Sequence, residues 1–309
     1  MTLRWLITGC SGGLGRLLAS AALERGDSVL ATARDPRSLD DLVARHPDTC
    51  RTATLDVTRG GDAEAAVALA ESAFGGIDVL VNNAGHGMLG AVEEVTPEEY
   101  RPLFETNVFG LIETTRAVLP TLRKQGAGGR IVMMSSGAGI AGIAGDGYYN
   151  ATKFAVEGLS EALAQEVAPF GIATIIVEPG PFRTDFLGRS MRTAAVEMPE
   201  YAETAGARRR YRADNDGAQP GDPAKAVAVI LEAVDTDDPP LHLPLGDRAY
   251  SLARTKFSAF LDSMDRWAPL ARETSFASPA PRSRAPERPD PTAVLIAHAA
   301  EWARDQRQS

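Results

Sequence analysis

From the first residues to about residue 180, short apolar runs alternate with longer amphipathic stretches. A short run of β-branched or apolar residues between turn formers reads as a strand buried on both faces. Apolar residues recurring three and four apart read as a helix laid across such strands. Strands are predicted at about residues 3–7, 28–32, 52–55, 79–81, 130–134 and 173–177, with helices between them. This is the rhythm of a parallel α/β sheet covered on both sides.

The longest helical pattern, about 149–167, places Phe154, Leu159, Leu163 and Val167 at helical spacings and stops before Pro169-Phe170-Gly171. After Pro179-Gly180 a polar stretch containing Met and Arg runs to about Pro223, an insertion of the length of a lid or binding loop. A helix over 224–234 and a strand over 241–245 follow. The expected organisation is one domain over residues 1–248 with its lid at 181–223, a helical extension over 249–276, and a Pro-rich linker with a short terminal helix over 277–309. In that terminal helix Val294, Leu295, Ala299 and Trp302 share an apolar face.

Composition narrows the partner. The chain has 309 residues, 44% of them hydrophobic, which is enough for one ordinary core. With 32 basic against 41 acidic residues the net charge is −9, which argues against a nucleic-acid-binding or anionic-membrane-binding surface and leaves a small molecule as the expected partner. Two cysteines, Cys10 and Cys50, make no disulfide framework. The histidines His46, His86, His242 and His298 lack metal-ligand spacing, so no metal is expected. No apolar stretch has the length of a signal-peptide core or a membrane span, and a cytoplasmic location is expected.

Two clusters carry chemistry. Thr8-Gly9-Cys10-Ser11-Gly12-Gly13-Leu14-Gly15 follows the first strand and opens a helix. Gly9 permits a tight turn, Gly13 lets the backbone approach a pyrophosphate, and Gly15 lets the helix close on the sheet, while free N–H groups at the helix start attract phosphate. A plain β-to-α turn would look similar. The second cluster is Tyr149 and Lys153, four apart and so on one helical face, where an ammonium can stabilise phenolate and lower the tyrosine's pKa. A tyrosine so tuned is a proton donor near neutral pH. Taken alone, the pair also fits an ordinary exposed helix.

Together, T-G-x-x-x-G-x-G, Asn82-Asn83-Ala84-Gly85, Asn107, Ser136 thirteen residues before Tyr149, and Pro179-Gly180 after the sixth strand resemble the short-chain dehydrogenase/reductase family over residues 3 to about 245. Ser135-Ser136-Gly137, Phe154-Ala155-Val156-Glu157-Gly158-Leu159 and Pro179-Gly180-Pro181-Phe182-Arg183-Thr184 look like its branch related to 17β-hydroxysteroid and retinol dehydrogenases. The resemblance implies a Rossmann-type doubly wound parallel sheet, a nicotinamide dinucleotide cofactor, oxidoreductase activity, and a homodimer or homotetramer built on helices beside the active site. It lays the cofactor along Thr8, Gly9, Ser11, Gly13, Leu14 and Gly15, then Asp56 and Val57 at the adenine, then Asn83, Ala84 and Gly85. Tyr149 and Lys153 come at the nicotinamide ribose, with Pro179, Gly180, Phe182 and Thr184 beyond. Asp56 fits a helix cap equally well.

At the end of the second strand an acid would hydrogen-bond a free 2′-hydroxyl, whereas an arginine would neutralise a 2′-phosphate. Ala33 stands where NAD-specific relatives carry the acid, and Arg34 follows, so NADP(H) is favoured over NAD(H). Asp35 would present a carboxylate instead if the turn shifted. The basic residue that some NADP-dependent relatives carry before the second glycine is absent, and Gly12 stands there.

Ketone reduction needs a hydride on carbon, a proton on oxygen and stabilisation of developing negative charge. Tyr149 is the expected proton donor, Lys153 its tuning cation and Ser136 the group that orients the carbonyl. By the resemblance, Asn107 supports a water relay to Lys153. Tyr148 is a rival donor, but only Tyr149 stands four before the lysine, which leaves Tyr148 as a pocket wall. Substrate contacts are expected from His86, Met88, Ala138, Ile140, Asp146 and Tyr148, and from Phe182, Phe186, Met191 and Met198 in the lid. Such side chains suit an apolar or aromatic carbonyl compound, or the corresponding alcohol. Ala207-Arg208-Arg209-Arg210-Tyr211-Arg212 would attract an acidic, carrier-linked substrate, or form a solvated face balanced by Glu200, Glu203 and Asp214. Two rival functions remain: a tailoring ketoreductase on a carrier-bound or polyketide intermediate, and a non-catalytic nucleotide-binding sensor or scaffold. The intact set Asn107, Ser136, Tyr149 and Lys153 speaks against the last.

Overall fold

The computed structural model describes residues 2–274. The expected linker and terminal helix therefore lie outside the described residues. β-Branched and apolar runs form β1 (Arg4–Ile7), β2 (Ser28–Ala33), β3 (Cys50–Thr54), β4 (Val79–Asn82), β6 (Arg130–Met134), β7 (Ala173–Pro179) and β9 (His242–Leu245). They make one parallel sheet in the order β3-β2-β1-β4-β6-β7-β9. Alternation along each strand feeds two cores, because successive side chains point to opposite faces. Trp5, Ile7, Val79 and Val81 join the layer under α1 (Gly13–Glu24) and α9 (Pro223–Asp235). Leu6 and Leu80 join the layer under α3 (Asp62–Phe74), α5 (Gly110–Gln125) and α7 (Gly147–Val167).

One buried carboxylate gathers several donors inside this frame. Asp27, 3% exposed, accepts the Leu3 N–H at 2.9 Å, the Trp5 indole N–H at 2.8 Å and the Arg25 Nε at 2.6 Å, fixing the start of β1 against the turn before β2. The α7 helix begins two residues earlier than predicted. Within it Phe154 is exposed and Val156 fills the core position instead.

The sheet order reverses between β1 and β4, and a parallel sheet opens a crevice at such a point beyond its strand ends. The insertion after β7 lies there. It holds β8 (Met191–Thr193), paired in parallel with the short β5 (Gly87–Leu89), and α8 (Ala205–Asn215). Three arginines of α8 are engaged within the protein. Arg209 pairs with the buried Glu94 at 2.5 Å and Arg208 with Asp146 at 2.8 Å, while Arg212 donates to the Leu187 and Gly188 carbonyls and the Thr193 hydroxyl.

The compact unit that begins the chain runs to Ala259, beyond the expected boundary at residue 248. The cause is the first turns of α10 (Asp247–Ala271), where Leu252 approaches Gly137 and Ala249 approaches Gly180. Among the described residues no helix is long and apolar enough to cross a membrane.

Candidate active site

A cleft of about 1400 Å³ runs from the glycine loop to Tyr149, with lid residues and α10 on its far side. At its nucleotide end Gly9 and Gly13 have φ of 71° and 59°, a conformation costly for residues with a Cβ. A Cβ on Gly9 would lie 2.9 Å from the Ala84 Cα, and one on Gly15 would fall on the Asn83 amide, whereas one on Gly13 would meet nothing within 4 Å. So Gly9 and Gly15 serve close packing, and Gly13 leaves the cleft floor open. The α1 N-cap, Gly12, makes no side-chain bond, which leaves the first-turn N–H groups available to an anion. These residues fit a dinucleotide.

Most expected cofactor residues line the cleft: Gly9, Ser11, Gly13, Leu14, Arg34, Asp56, Val57, Asn83, Ala84, Gly85, Pro179, Gly180, Phe182 and Thr184. Thr8 and Gly15 do not. The Thr8 hydroxyl instead accepts the Asn83 and Ala84 N–H groups, each at 2.9 Å, and so holds the two loops together from behind. Asp56 is not a helix cap. Its carboxylate takes the Thr58 N–H and hydroxyl, and Gly61 stands at the start of α3. Asp35 is diverted from the cleft, since it accepts the Arg37 backbone N–H at 3.1 Å and the Arg37 Nε and Nη2, each at 2.9 Å.

Tyr149, Lys153 and Ser136 meet at the other end, and all three line the cleft. Ser136 caps α6 (Gly137–Ile140), accepting the Ala138 N–H at 3.1 Å, and its hydroxyl is close enough to the Tyr149 phenol to act on it. The tuning differs from expectation. Burial pushes the Tyr149 phenol up, and Ser136 is the main opposing influence; Lys153 is not among them. The Lys153 Nζ donates to the Met134 carbonyl at 2.6 Å and lies 5.8 Å from the Tyr149 ring centre. Burial brings its own pKa down to about 8, with Glu157 opposing.

Asn107 is 1% exposed and sits in a π-helical turn, Glu105–Phe109, between α4 (Pro97–Phe104) and α5. Its amide brackets His86, accepting the His86 N–H at 3.0 Å and donating to the His86 carbonyl at 2.8 Å. It also donates to the Thr152 hydroxyl at 3.2 Å. Asn107 thus ties the loop after β4 to α7 and does not itself line the cleft.

Of the expected substrate contacts, His86, Ala138, Asp146, Phe182, Phe186 and Met191 line the cleft. Phe186 faces Tyr149 with ring centres 5.8 Å apart. Burial keeps the pKa of His86 below its usual value. Tyr148 is not a wall: it stacks on Tyr100 at 4.6 Å and donates to the Val92 carbonyl at 3.2 Å. Met88 and Ile140 turn into the interior, and the Met198 N–H is bound to Glu94. The sequence reading missed Arg189 and Gln219 in the lid and Arg248, Ser251, Leu252 and Thr255 in α10. For α10 the signal was its apolar face so close after β9.

Behind the site, Glu157 accepts the Ser135 hydroxyl, and the exposed His242 bonds Glu178 at 2.8 Å. Burial lifts the Glu157 carboxyl to about 7, with the neighbouring Glu178 adding to the rise. Glu157, Glu178 and His242 lie close enough together to hold an ion.

The short chain dehydrogenase profile matches residues 4–195, and the chain belongs to that family. It is an oxidoreductase acting on CH–OH donors. It is 39% identical over 279 residues to oxidoreductase BOA17 of Botryotinia fuckeliana, covering 90% of this chain and all of that one. Bovine retinol dehydrogenase 8 is 33% identical over 76% of this chain and 79% of its own length. A crystal structure of a short-chain dehydrogenase from Streptomyces avermitilis superposes with a TM-score of 0.83 at 45% identity, covering 89% of this chain and all of that one.

Proposed function

We propose that this chain interconverts a ketone or aldehyde and an alcohol with NADP(H), using Tyr149 as acid and base. The observation that carries the reading is the junction of Tyr149, Ser136 and Lys153 on one wall of a cleft whose other end is a glycine loop. When bound, the nicotinamide supplies or takes the hydride. Ser136 and Tyr149 present hydroxyls to the same oxygen, so the carbonyl is held as the phenolic proton passes to it. Lys153, within the same enclosed space, favours the phenolate left behind.

The preference for NADP(H) rests on Arg34 at the cleft edge and on Asp35 being tied to Arg37. The substrate end supports an apolar carbonyl compound: Phe186, Met191, Ala138 and Ile143 surround the Tyr149 side, and Arg208, which also lines the cleft, is paired with Asp146. Exposed Phe109 and Phe154 on neighbouring helices support self-association as a homodimer or homotetramer, and two free, buried cysteines suit a cytoplasmic enzyme.

A panel of apolar ketones, aldehydes and alcohols, followed by nicotinamide absorbance with both dinucleotides, tests the whole reading. Turnover with NADPH exceeding that with NADH supports it. Absence of turnover across the panel, with dinucleotide binding intact, would turn the reading toward a nucleotide-binding protein.

A further inference from the structure

The lid crosses the glycine loop at one point. A Cβ built on Gly12 would fall on the Nη2 of Arg189, so this guanidinium occupies the place where a side chain at position 12 would stand. Gly12 is the position before the second glycine of the loop, where some NADP-dependent members of the family carry a basic residue and this chain carries none. Arg189 is also loosely held. Its Nη2 lies 3.4 Å from the Ser11 carbonyl and 3.8 Å from Asp185, and its side chain is 61% exposed. A guanidinium has five N–H donors, so most of them remain for a ligand. Arg34 lines the same cleft.

We propose that Arg189 reaches from the lid to bind the 2′-phosphate of NADP(H), replacing in space the basic residue missing at position 12 and acting with Arg34. The inference rests on the NADP(H) reading and adds a second, sequence-distant residue to it. A doubly charged phosphate between two forked guanidiniums gains charge-assisted, bidentate bonds, whereas a 2′-hydroxyl gains little. The lid that carries Phe186 to the substrate thereby also carries a nucleotide ligand. Loop residues 11–13 keep their backbone N–H groups for the pyrophosphate, so the two phosphates have separate partners.

The test is binding to the full-length protein, read by nicotinamide fluorescence for NADPH and NADH and by calorimetry for 2′,5′-ADP and 5′-ADP. Arg189→Ala is expected to weaken NADPH and 2′,5′-ADP on the order of 10- to 100-fold, the loss of one or two charged hydrogen bonds, with NADH and 5′-ADP nearly unchanged. Arg189→Lys should recover part of the loss. Equal weakening of both dinucleotides would assign Arg189 to the pyrophosphate and overturn the proposal, as would no weakening at all. A wild type that binds NADH as tightly as NADPH would overturn the NADP(H) reading itself. A wild type that prefers NADPH, with the preference intact in Arg189→Ala, removes Arg189 alone. Because the side chain is exposed, unchanged circular dichroism is expected for both variants.

Discussion

Lys153 and Tyr149 share one face of α7, yet the lysine's Nζ is bonded to the Met134 carbonyl at 2.6 Å and stands 5.8 Å from the tyrosine ring centre. The ammonium is thus anchored to the end of β6 and not to the phenol. Its effect on the phenol depends on shared enclosure, and Ser136 is the group that acts on it directly.

Tyr149→Phe keeps the ring against Phe186 and removes only the hydroxyl, and with it the proton to be donated. Turnover is expected to fall by at least about 100-fold while NADPH affinity stays close to wild type. Single-turnover absorbance with a fluorescence titration separates the two. Surviving turnover would mean that the donor is another group.

Lys153 should make stability depend on pH in a defined window. Its folded-state pKa is depressed to about 8 from 10.5, so between those values the unfolded chain binds the extra proton. The cost of burying the ammonium is fully present below about pH 8 and is relieved as pH rises toward 10.5. Relative to Lys153→Met, the wild type should gain stability over that range, with a ceiling of roughly 3 kcal/mol. Urea denaturation of both proteins at pH 7.5 and pH 10 checks this; a constant difference would refute it.

Gly139→Ala would place a Cβ 2.5 Å from the Ser135 Oγ and 2.7 Å from the Glu157 Oε1. A loss of about 1–3 kcal/mol is expected, since both neighbours are buried and bonded to each other. Gly142→Ala, exposed and with nothing within 4 Å, should be nearly neutral. Thermal unfolding of the two variants side by side gives the comparison, and equal melting temperatures would count against it.

Arg209→Met leaves Glu94, which is 1% exposed, without its cation while it still accepts the Ala91 and Met198 N–H groups. Breaking a buried pair costs about 3–5 kcal/mol. The lid rests on this pair, so faster proteolysis within it and a raised KM should accompany the loss. An unchanged cleavage rate would show that the pair does not hold the lid.

The sheet was legible because its strands are apolar on both faces, so runs such as Trp5-Leu6-Ile7 mark themselves, and the main strand ends shift only by a residue or two. The ends of the site were legible for another reason: glycines that cannot carry a Cβ, and a Tyr and Lys at one helical turn, leave fixed spacings. What spacing could not give was direction. Tyr148 and Tyr149 are adjacent, and only the helix's rotation sends one to Tyr100 and the other to the cleft. Nor could it give partners across long separations, such as Arg209 with Glu94, Arg189 with Gly12, or Thr8 behind Asn83.

Arg212 gathers the Leu187 and Gly188 carbonyls and the Thr193 hydroxyl around one guanidinium. The loop bearing Phe186 and Arg189, the strand β8 and the helix α8 are therefore fastened into a single plate, and β8 is hydrogen-bonded to β5 directly after His86. A plate of this kind cannot admit substrate by letting one loop drift. The guanidinium beside Gly12 and the ring beside Tyr149 are carried on this one support, so a substitution that displaces one is expected to displace the other.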